Sequence, residues 1–341
     1  ILSDQLIPNV LFIKQFGLED CQHVFLTTKL MAGRHKSSIL ADALGLAENQ
    51  YKKVEIDANS PGKILKKLKE FFKDSTAEYL VNITGGTKMM SQMVHEFFKN
   101  FQKAEIYYWP IEYNYVEQLY PAFKEVFFYQ QTELDLGTYL AAYGYSYTAN
   151  RELTYKYSRA NELYTQVCQK KDSGSVANIQ KATQADYTKE DKKYLIGGWF
   201  EEWLYATFKK ELDLADNAIA YNLKLKSEYS LRNTESDNEI DIAFVYKNTL
   251  YIVECKVFTA LSLHSKKITD AIYKISSIRQ SMGLKATALV CILSPFGDNP
   301  ERKKNIDYLC QMAQVKEIFS LETMVEKEKF INQIKKITNY E

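Results

Sequence analysis

The sequence is poor in the residues from which proteins build zinc sites and disulfide frameworks. It has four histidines, too scattered to form a metal cluster, and five cysteines, an odd number with no CxxC pair. This usage argues against a zinc site and favours reduced thiols, so we expect a cytoplasmic protein. The sequence also lacks an apolar run long enough to cross a bilayer and a recognisable signal peptide, so no membrane association is expected.

An excess of charge of either sign is also missing. The 44 basic and 43 acidic residues leave a formal net charge of +1, so a strongly basic nucleic-acid binder is not indicated and any binding surface must be a local patch. Tyrosine is abundant, at 25 residues. Tyrosine stacks on bases but more often fills half-buried sheets, and we prefer the second explanation. A length of 341 residues suits two domains better than one.

The first 128 residues alternate between runs typical of strands and runs typical of helices. The strand-like runs are His23–Thr28, Lys53–Asp57, Tyr79–Thr84 and Glu105–Trp109. The amphipathic, helix-like runs are Gln5–Phe16, Lys36–Leu46, Pro61–Phe72 and Lys88–Phe101. This alternation predicts an α/β fold with a parallel sheet and helices on both faces. Ile1-Leu2 is predicted to be the end of a further strand.

The pattern changes twice in the rest of the chain. Residues 129–193 are polar, tyrosine-rich and helical in pattern, which predicts a connector containing helices. From residue 194 to residue 341 a new order of helix, strand, strand, helix and strand predicts a second α/β domain. The expected division is therefore 1–128, 129–193 and 194–341.

The strongest chemical signal lies in residues 238–257, NEIDIAFVYKNTLYIVECKV. Two apolar, β-branched runs, Ile240–Tyr246 and Leu250–Val257, are separated by Lys247 and Asn248. Two such runs around a short polar turn predict a β-hairpin. The competing interpretation is an edge hairpin whose charges face solvent, but the strongly apolar flanks favour a buried hairpin.

The register of this hairpin decides which side chains meet. If the residues beside the turn pair, Asp241 lies opposite Glu254, and Lys256 shares their face because it is two residues further on. Val253 and Cys255 then point into the core. Two carboxylates about 5 Å apart repel one another unless a divalent cation bridges them. The metal would hold a scissile phosphate and acidify water, while Lys256 positions that water or stabilises the growing charge.

An upstream helix, Gly198–Leu212, supplies another acid. Its apolar face carries Leu204, Tyr205 and Phe208, and Glu201 falls on the same face. A carboxylate on an apolar stripe is costly without a partner, so Glu201 is predicted to be a further metal or water ligand. Glu202 is the alternative, and a capping or solvated glutamate is an equally open explanation of Glu201.

A helix, a hairpin carrying Asp and Glu-x-Lys, and a second helix together resemble the PD-(D/E)XK nuclease superfamily. The resemblance implies a restriction-endonuclease-like domain in which Asp241, Glu254 and Lys256 are catalytic. Ile240 stands where many members have a proline.

The segment after the hairpin is rich in cations. Ser265–Leu284 carries Lys266, Lys267, Lys274 and Arg279, with the neutral Gln280 near its end. A basic helix beside the site would hold a phosphate backbone. A solvated surface helix explains each single lysine equally well.

The first domain has a candidate anion site of its own. An apolar strand runs into the loop Thr84-Gly85-Gly86-Thr87-Lys88, after which a helix begins. Glycine lets the backbone approach a ligand, a helix start favours an anion, and lysine adds charge. The loop is too short for a Walker A motif, and a plain turn capped by Thr87 is the alternative. Segments at the same sheet edge could complete a nucleotide pocket, namely Ser3, Asp4, Gln5, Thr27 and Thr28.

Three segments, SDQLIPN (Ser3–Asn9), FLTT (Phe25–Thr28) and NITGGTK (Asn82–Lys88), resemble the CARF sensor domain. The whole chain resembles the CARF-fused PD-(D/E)XK nucleases of type III CRISPR systems. The resemblance implies a Rossmann-like sensor, a homodimer, and a cyclic oligoadenylate activator, with cyclic tetra-adenylate favoured, bound across the two-fold axis. It implies these contacts: Ser3, Asp4, Gln5, Asn9, Thr27, Thr28, Thr84, Gly85, Gly86, Thr87 and Lys88.

The same resemblance implies antiviral cleavage of single-stranded DNA, RNA or supercoiled DNA with Mn²⁺ or Mg²⁺. The expected metal ligands are Asp241 and Glu254, together with Glu201 from its position on the upstream helix. Two other functions stay open. The chain could be a non-catalytic, nucleotide-sensing regulator that binds DNA, or a ring nuclease that degrades the cyclic messenger.

Overall fold

The structure is a computed structural model, and it describes residues 1–17, 21–110, 113, 115–127, 133–153, 157–170, 193–229, 239–258, 264–294 and 300–338. The chain separates into two compact units. The first comprises residues 1–134, 138–145 and 227–231, and the second comprises residues 135–137, 146–226 and 232–341.

The first unit alternates strands with helices, as the sequence predicts. Its elements are α1 (Ile7–Phe16), β1 (His23–Thr27), α2 (Lys29–Gly33), α3 (Lys36–Leu44), β2 (Tyr51–Glu55), α4 (Pro61–Phe71), β3 (Tyr79–Asn82), α5 (Lys88–Phe98), β4 (Ala104–Tyr108), β5 (Tyr115–Tyr120) and β6 (Lys124–Phe127). β1 pairs with β2 and β3 with β4 in parallel, while β5 and β6 extend the second sheet antiparallel. The predicted α/β class is confirmed.

The first two residues lie between the two sheets of this unit. The Leu2 amide donates a hydrogen bond to the Leu26 carbonyl at 2.9 Å, and the Ile1 amino group donates to the Asn82 carbonyl at 3.0 Å. These bonds join β1 to β3 through residues 1–2. Ser3 and Asp4 therefore emerge beside the carboxyl ends of β1 and β3, which is where α/β sheets bind ligands.

The remaining elements are a short helix, most of which belongs to the first unit, and the helices and six strands of the second unit. They are α6 (Leu136–Ala141), β7 (Tyr145–Asn150), α7 (Tyr157–Lys170), a π-helical turn (Tyr194–Gly198), α8 (Trp199–Glu211), β8 (Ile219–Ser227), β9 (Glu239–Tyr246), β10 (Thr249–Val257), α9 (His264–Ser281), β11 (Ala286–Leu293), α10 (Pro300–Met312), β12 (Val315–Phe319), α11 (Leu321–Val325) and α12 (Lys327–Thr338). The strand order is β12-β11-β10-β9-β8-β7. No helix in the described ranges is both long and apolar enough to cross a bilayer.

The predicted helical connector contributes a strand as well as helices. β7 forms the edge of the six-stranded sheet, and its side chains alternate between half-buried and exposed. That alternation is the period of a half-covered strand, which the abundance of polar and tyrosine residues obscured in the sequence.

The hairpin β9–β10 has the predicted register. Lys247 and Asn248 both have positive φ, 48° and 58°, as the tight turn of a right-twisted hairpin requires. Thr249 therefore pairs with Tyr246, and the ladder continues to Val253 opposite Ile242. On its other edge β10 pairs in parallel with β11, so the hairpin lies inside the sheet.

Candidate functional site

Asp241, Glu254 and Lys256 lie in one cleft of the second unit. The Lys256 ammonium lies 2.6 Å from Glu254 Oε1 and 3.5 Å from Asp241 Oδ2. The Cys255 amide donates a 2.6 Å hydrogen bond to Asp241 Oδ2, which fixes that carboxylate beside β10. The structure thus brings together the three side chains selected from the spacing in the sequence.

The intervening residues of β10 point the other way. Val253 and Cys255 belong to the apolar core, together with Trp203, Phe208 and Phe244. Burial raises the pKa of the Cys255 thiol well above its usual range, so this cysteine stays protonated inside the core. Alternation along one strand therefore separates the charged face from the packed face.

The cleft keeps its carboxylates close enough to perturb one another. Burial and the neighbouring charge of Glu254 raise the pKa of Asp241. Burial lowers the pKa of Lys256, but the charges of Asp241 and Glu254 outweigh it and raise the pKa above the usual lysine range. Lys256 is therefore an ammonium at any physiological pH.

Of the two glutamates at the start of α8, Glu201 is the one that reaches the cleft. Burial and the charge of Asp241 raise the pKa of Glu201 to about 7. Glu202 is more deeply buried, at 1% exposure, and its Oε1 accepts a 3.1 Å hydrogen bond from the Tyr221 hydroxyl. Glu202 therefore packs against β8.

Lys274, which the sequence marked only as one cation of a basic helix, contacts the acid pair directly. From α9 its ammonium donates to both oxygens of Glu254, at 3.0 and 2.8 Å. Glu254 itself is fully buried, at 0% exposure. The lysine and the glutamate are 20 residues apart in the sequence, and no local sequence pattern indicates a contact between a helix and a strand over that separation.

The oxygens of the cleft suit a hard divalent cation. The Lys256 ammonium already lies near three of them, because the Cys255 carbonyl is 3.1 Å away in addition to Asp241 Oδ2 and Glu254 Oε1. A positive group thus stands where these oxygens converge, and an all-oxygen set is what Mg²⁺ and Mn²⁺ prefer. Among the described residues, no three His, Cys, Asp or Glu side chains are close enough to ligate one ion together. Water would have to complete the shell and connect it to Glu201.

The first unit has a cleft of about 700 Å³ at the carboxyl ends of its strands. Five of the side chains and backbone positions expected from the sequence line it: Ser3, Asp4, Thr28, Gly86 and Thr87. Ionisable residues that the sequence did not single out line it too: Lys29, Glu55, Asp57, Lys63 and Lys67. No motif marked them, because they come from separate elements, namely α2, α4, and the end of β2 with the residues that follow it.

Other residues expected in this cleft take structural roles. Asn9 is buried, and its Oδ1 accepts from Asn82 Nδ2 at 3.4 Å. Thr27 is 2% exposed, and Thr84 Oγ1 accepts from the Trp109 amide at 2.8 Å. These three residues lie outside the lining of the cleft, as do Gln5, Gly85 and Lys88. Asn9 instead lines a cavity of about 1130 Å³ between β1 and β3.

The two glycines of the loop are required by residue 1. A Cβ on Gly85 would lie 2.3 Å from the Ile1 carbonyl oxygen, and one on Gly86 would lie 2.7 Å from Ile1 Cγ2. Gly86 also has a φ of +84°, which favours glycine. Thr87 caps α5 by accepting from the Met90 amide at 3.2 Å, so the loop is both a capped turn and part of the cleft wall.

Asp4 is held at the rim of the cleft by two cations. Arg34 pairs with its carboxylate, and the Lys36 ammonium lies 3.5 Å from Asp4 Oδ1. Partial burial raises the pKa of Asp4, but the hydrogen bond from Arg34 and the charge of Lys36 together lower it by more. The pKa of Asp4 therefore falls below the usual range. Asp4 is therefore ionised at neutral pH.

Two family models match the chain, one for each unit. The Card1 CARF domain matches residues 1–139, and the Card1-like endonuclease domain matches residues 188–306. The chain belongs to the Card1-like CARF-domain nucleases. In this Card1-like chain, the cleft of the first unit lies within the CARF match, and the Asp241–Glu254–Lys256 cleft lies within the endonuclease match.

Solved structures share the Card1-like architecture over most of the chain. Protein VC1899 from Vibrio cholerae is 16% identical with a TM-score of 0.78, covering 99% of this chain and 97% of its own. Can2 from Sulfobacillus thermosulfidooxidans, solved in complex with cyclic tetra-adenylate, is 19% identical with a TM-score of 0.69, covering 99% and 98%.

A type III CRISPR defence DNA nuclease activated by cyclic oligoadenylate is 14% identical with a TM-score of 0.54, covering 88% of this chain and 46% of its own. Likeness at these identities shows the fold. Among curated protein sequences, none matches this chain.

Proposed function

We propose that this chain is a metal-dependent endonuclease of type III CRISPR defence, activated by a cyclic oligoadenylate. The observation that carries the proposal is the single cleft in which Lys256 contacts both Asp241 and Glu254, on a domain of the endonuclease family and behind a CARF domain. The proposed substrates are phosphodiesters of single-stranded DNA or RNA, or of supercoiled DNA.

The residues of the cleft divide the work of hydrolysis. Asp241, Glu254 and the Cys255 carbonyl would hold Mn²⁺ or Mg²⁺, which when bound supplies positive charge for the scissile phosphate and acidity for the attacking water. Lys256 keeps its proton and stabilises the charge that grows on the phosphate. Glu201, whose pKa is raised by burial and by the charge of Asp241, would accept a proton from the attacking water.

The cleft of the first unit is proposed to bind the activator. Lys29, Lys63 and Lys67 supply ammonium groups for ring phosphates, and Ser3 and Thr28 supply hydroxyl groups. A ring with an even number of adenylates has a two-fold axis, which suits binding across the two-fold axis of a homodimer. Among such rings we favour cyclic tetra-adenylate. Can2, which shares the fold, was solved with that ligand.

The proposal is tested by cleavage of single-stranded DNA, RNA and supercoiled plasmid in Mn²⁺ or EDTA, with cyclic oligoadenylates of different ring size. We expect cutting only with metal and with one preferred ring, and a loss of cutting in Glu254→Ala. Glu328→Ala, an exposed glutamate of α12, is the matched control. Cutting by Glu254→Ala at the rate of the unmodified chain would refute the assignment.

The same assay separates the two alternatives. Tight DNA binding without any cutting in Mn²⁺ would favour a non-catalytic regulator. Chromatography of the activator after long incubation tests the ring nuclease, since an intact ring eliminates that function.

A further inference from the structure

We propose that Lys274 is a positioning residue that occupies the metal-binding oxygens of Glu254 until a divalent cation displaces it, after which its ammonium turns to a substrate phosphate. The inference rests on the proposed function of the same cleft. It assigns to α9 a part in metal loading, in addition to any general attraction for nucleic acid.

The carboxylate of Glu254 already carries two ammonium groups. Oε1 accepts from Lys256 at 2.6 Å and from Lys274 at 3.0 Å, and Oε2 accepts from Lys274 at 2.8 Å. A carboxylate oxygen has about two lone-pair directions. Both directions of Oε1 are therefore in use, and a cation that binds this oxygen has to displace an ammonium.

The two lysines are anchored differently. Lys256 belongs to β10, and its ammonium also lies near Asp241 and the Cys255 carbonyl. Lys274 reaches across from α9, and the partner that the described contacts give its ammonium is Glu254. Its side chain is 36% exposed, so it can leave for solvent or for a bound strand without unpacking the core. Lys274 is therefore the ammonium that exchanges with the metal.

The charge balance of the cleft supports this exchange. Asp241 and Glu254 are matched by Lys256 and Lys274, so the charges of these four groups sum to zero before any cation enters. A divalent ion adds two positive charges to this group, and the departure of Lys274 removes one of them. A phosphate of the bound strand is the anion that can accept the released ammonium.

This role makes an unusual prediction for Lys274→Met. Removing one positive charge beside the metal site increases Mn²⁺ affinity, by on the order of tenfold at the dielectric of a partly exposed cleft. Cleavage at saturating Mn²⁺ falls, because the phosphate loses its ammonium partner. If Lys274 were only structural, its replacement would lower the Mn²⁺ affinity and the cleavage rate together, because the site would become less ordered.

The experiment measures Mn²⁺ binding to the full chain without nucleic acid, from the electron paramagnetic resonance signal of free Mn²⁺. The variants are Lys274→Met, Lys274→Gln, which keeps a hydrogen-bond donor without the charge, and Lys274→Arg, which keeps the charge. Lys303→Met, an exposed lysine of α10, is the matched control. We expect tighter binding in the Met and Gln variants and unchanged binding in the control.

The Lys274→Arg variant should bind Mn²⁺ no more tightly than the unmodified chain does, because a guanidinium can hold the Glu254 carboxylate through two hydrogen bonds. If the unmodified chain binds Mn²⁺ but the Gln variant binds it equally or more weakly, the role of Lys274 is refuted and the proposed nuclease is not. If the unmodified chain binds no Mn²⁺ at all, the metal-dependent function fails and this inference fails with it.

Discussion

Replacing Glu201 with glutamine should stabilise the metal-free protein at alkaline pH. Burial and the charge of Asp241 raise the pKa of Glu201 from 4.5 to about 7. The folded state thus holds this proton more tightly than the unfolded state does. The ionised carboxylate destabilises the folded state. Glutamine removes its charge while keeping the shape of the side chain.

The sign and size follow from proton linkage. Between the two pKa values the folded state binds more protons than the unfolded state, so stability falls as pH rises from about 4.5 towards 7. Each pKa unit corresponds to about 1.4 kcal/mol, which gives a loss of about 3 kcal/mol above the folded pKa. The Glu201→Gln variant escapes that loss, so its advantage is near zero at about pH 4 and about 3 kcal/mol at about pH 8.

Urea denaturation in EDTA at those two pH values measures the difference. Glu328→Gln, an exposed glutamate of α12, controls for the loss of one carboxylate. Adding Mn²⁺ should reduce the difference in stability between the Glu201→Gln variant and the parent at about pH 8, because a bound cation stabilises the ionised form of Glu201. A Glu201→Gln variant no more stable than the parent at about pH 8 would refute the placement of Glu201 beside Asp241.

Three further perturbations test other parts of the structure. Lys256→Ala should slow cleavage by on the order of 10²- to 10³-fold in single-turnover assays, and unchanged rates would remove its role at the phosphate. Gly85→Ala places a Cβ 2.3 Å from the Ile1 carbonyl oxygen, so the melting temperature and the affinity for the activator should both fall. An unchanged melting temperature and unchanged activator binding in calorimetry would contradict this packing. Thr87→Val removes the cap on the Met90 amide and should cost about 1 kcal/mol in denaturant unfolding, against no change if the cap is dispensable.

The acid pair was predictable because its determinants are local. The turn at Lys247 and Asn248 sets the register, and alternation then sends Glu254 to the cleft and Cys255 to the core. Lys274 was not predictable in this role. Its contact depends on how α9 packs on β10, and that packing is decided by the whole apolar face of the helix.

The first unit shows the same limit. Parallel topology predicts that the ends of β1 and β3 converge, and Ser3, Thr28 and Thr87 do line one cleft there. Which neighbours join them depends on single hydrogen bonds. The Thr84 hydroxyl accepts a hydrogen bond from the Trp109 amide, and the Asn9 side chain accepts one from Asn82. Both side chains therefore make hydrogen bonds within the fold instead of lining the cleft.

Cys255 sits between the two charged residues of β10 and faces the opposite way. Its amide holds Asp241, its carbonyl lies beside Lys256, and its side chain fills the core. A bulkier residue at this position would push the strand outward and carry the acid pair with it. The packing of the interior and the placement of the acid pair thus depend on one and the same peptide unit, so we expect few replacements of Cys255 to preserve both.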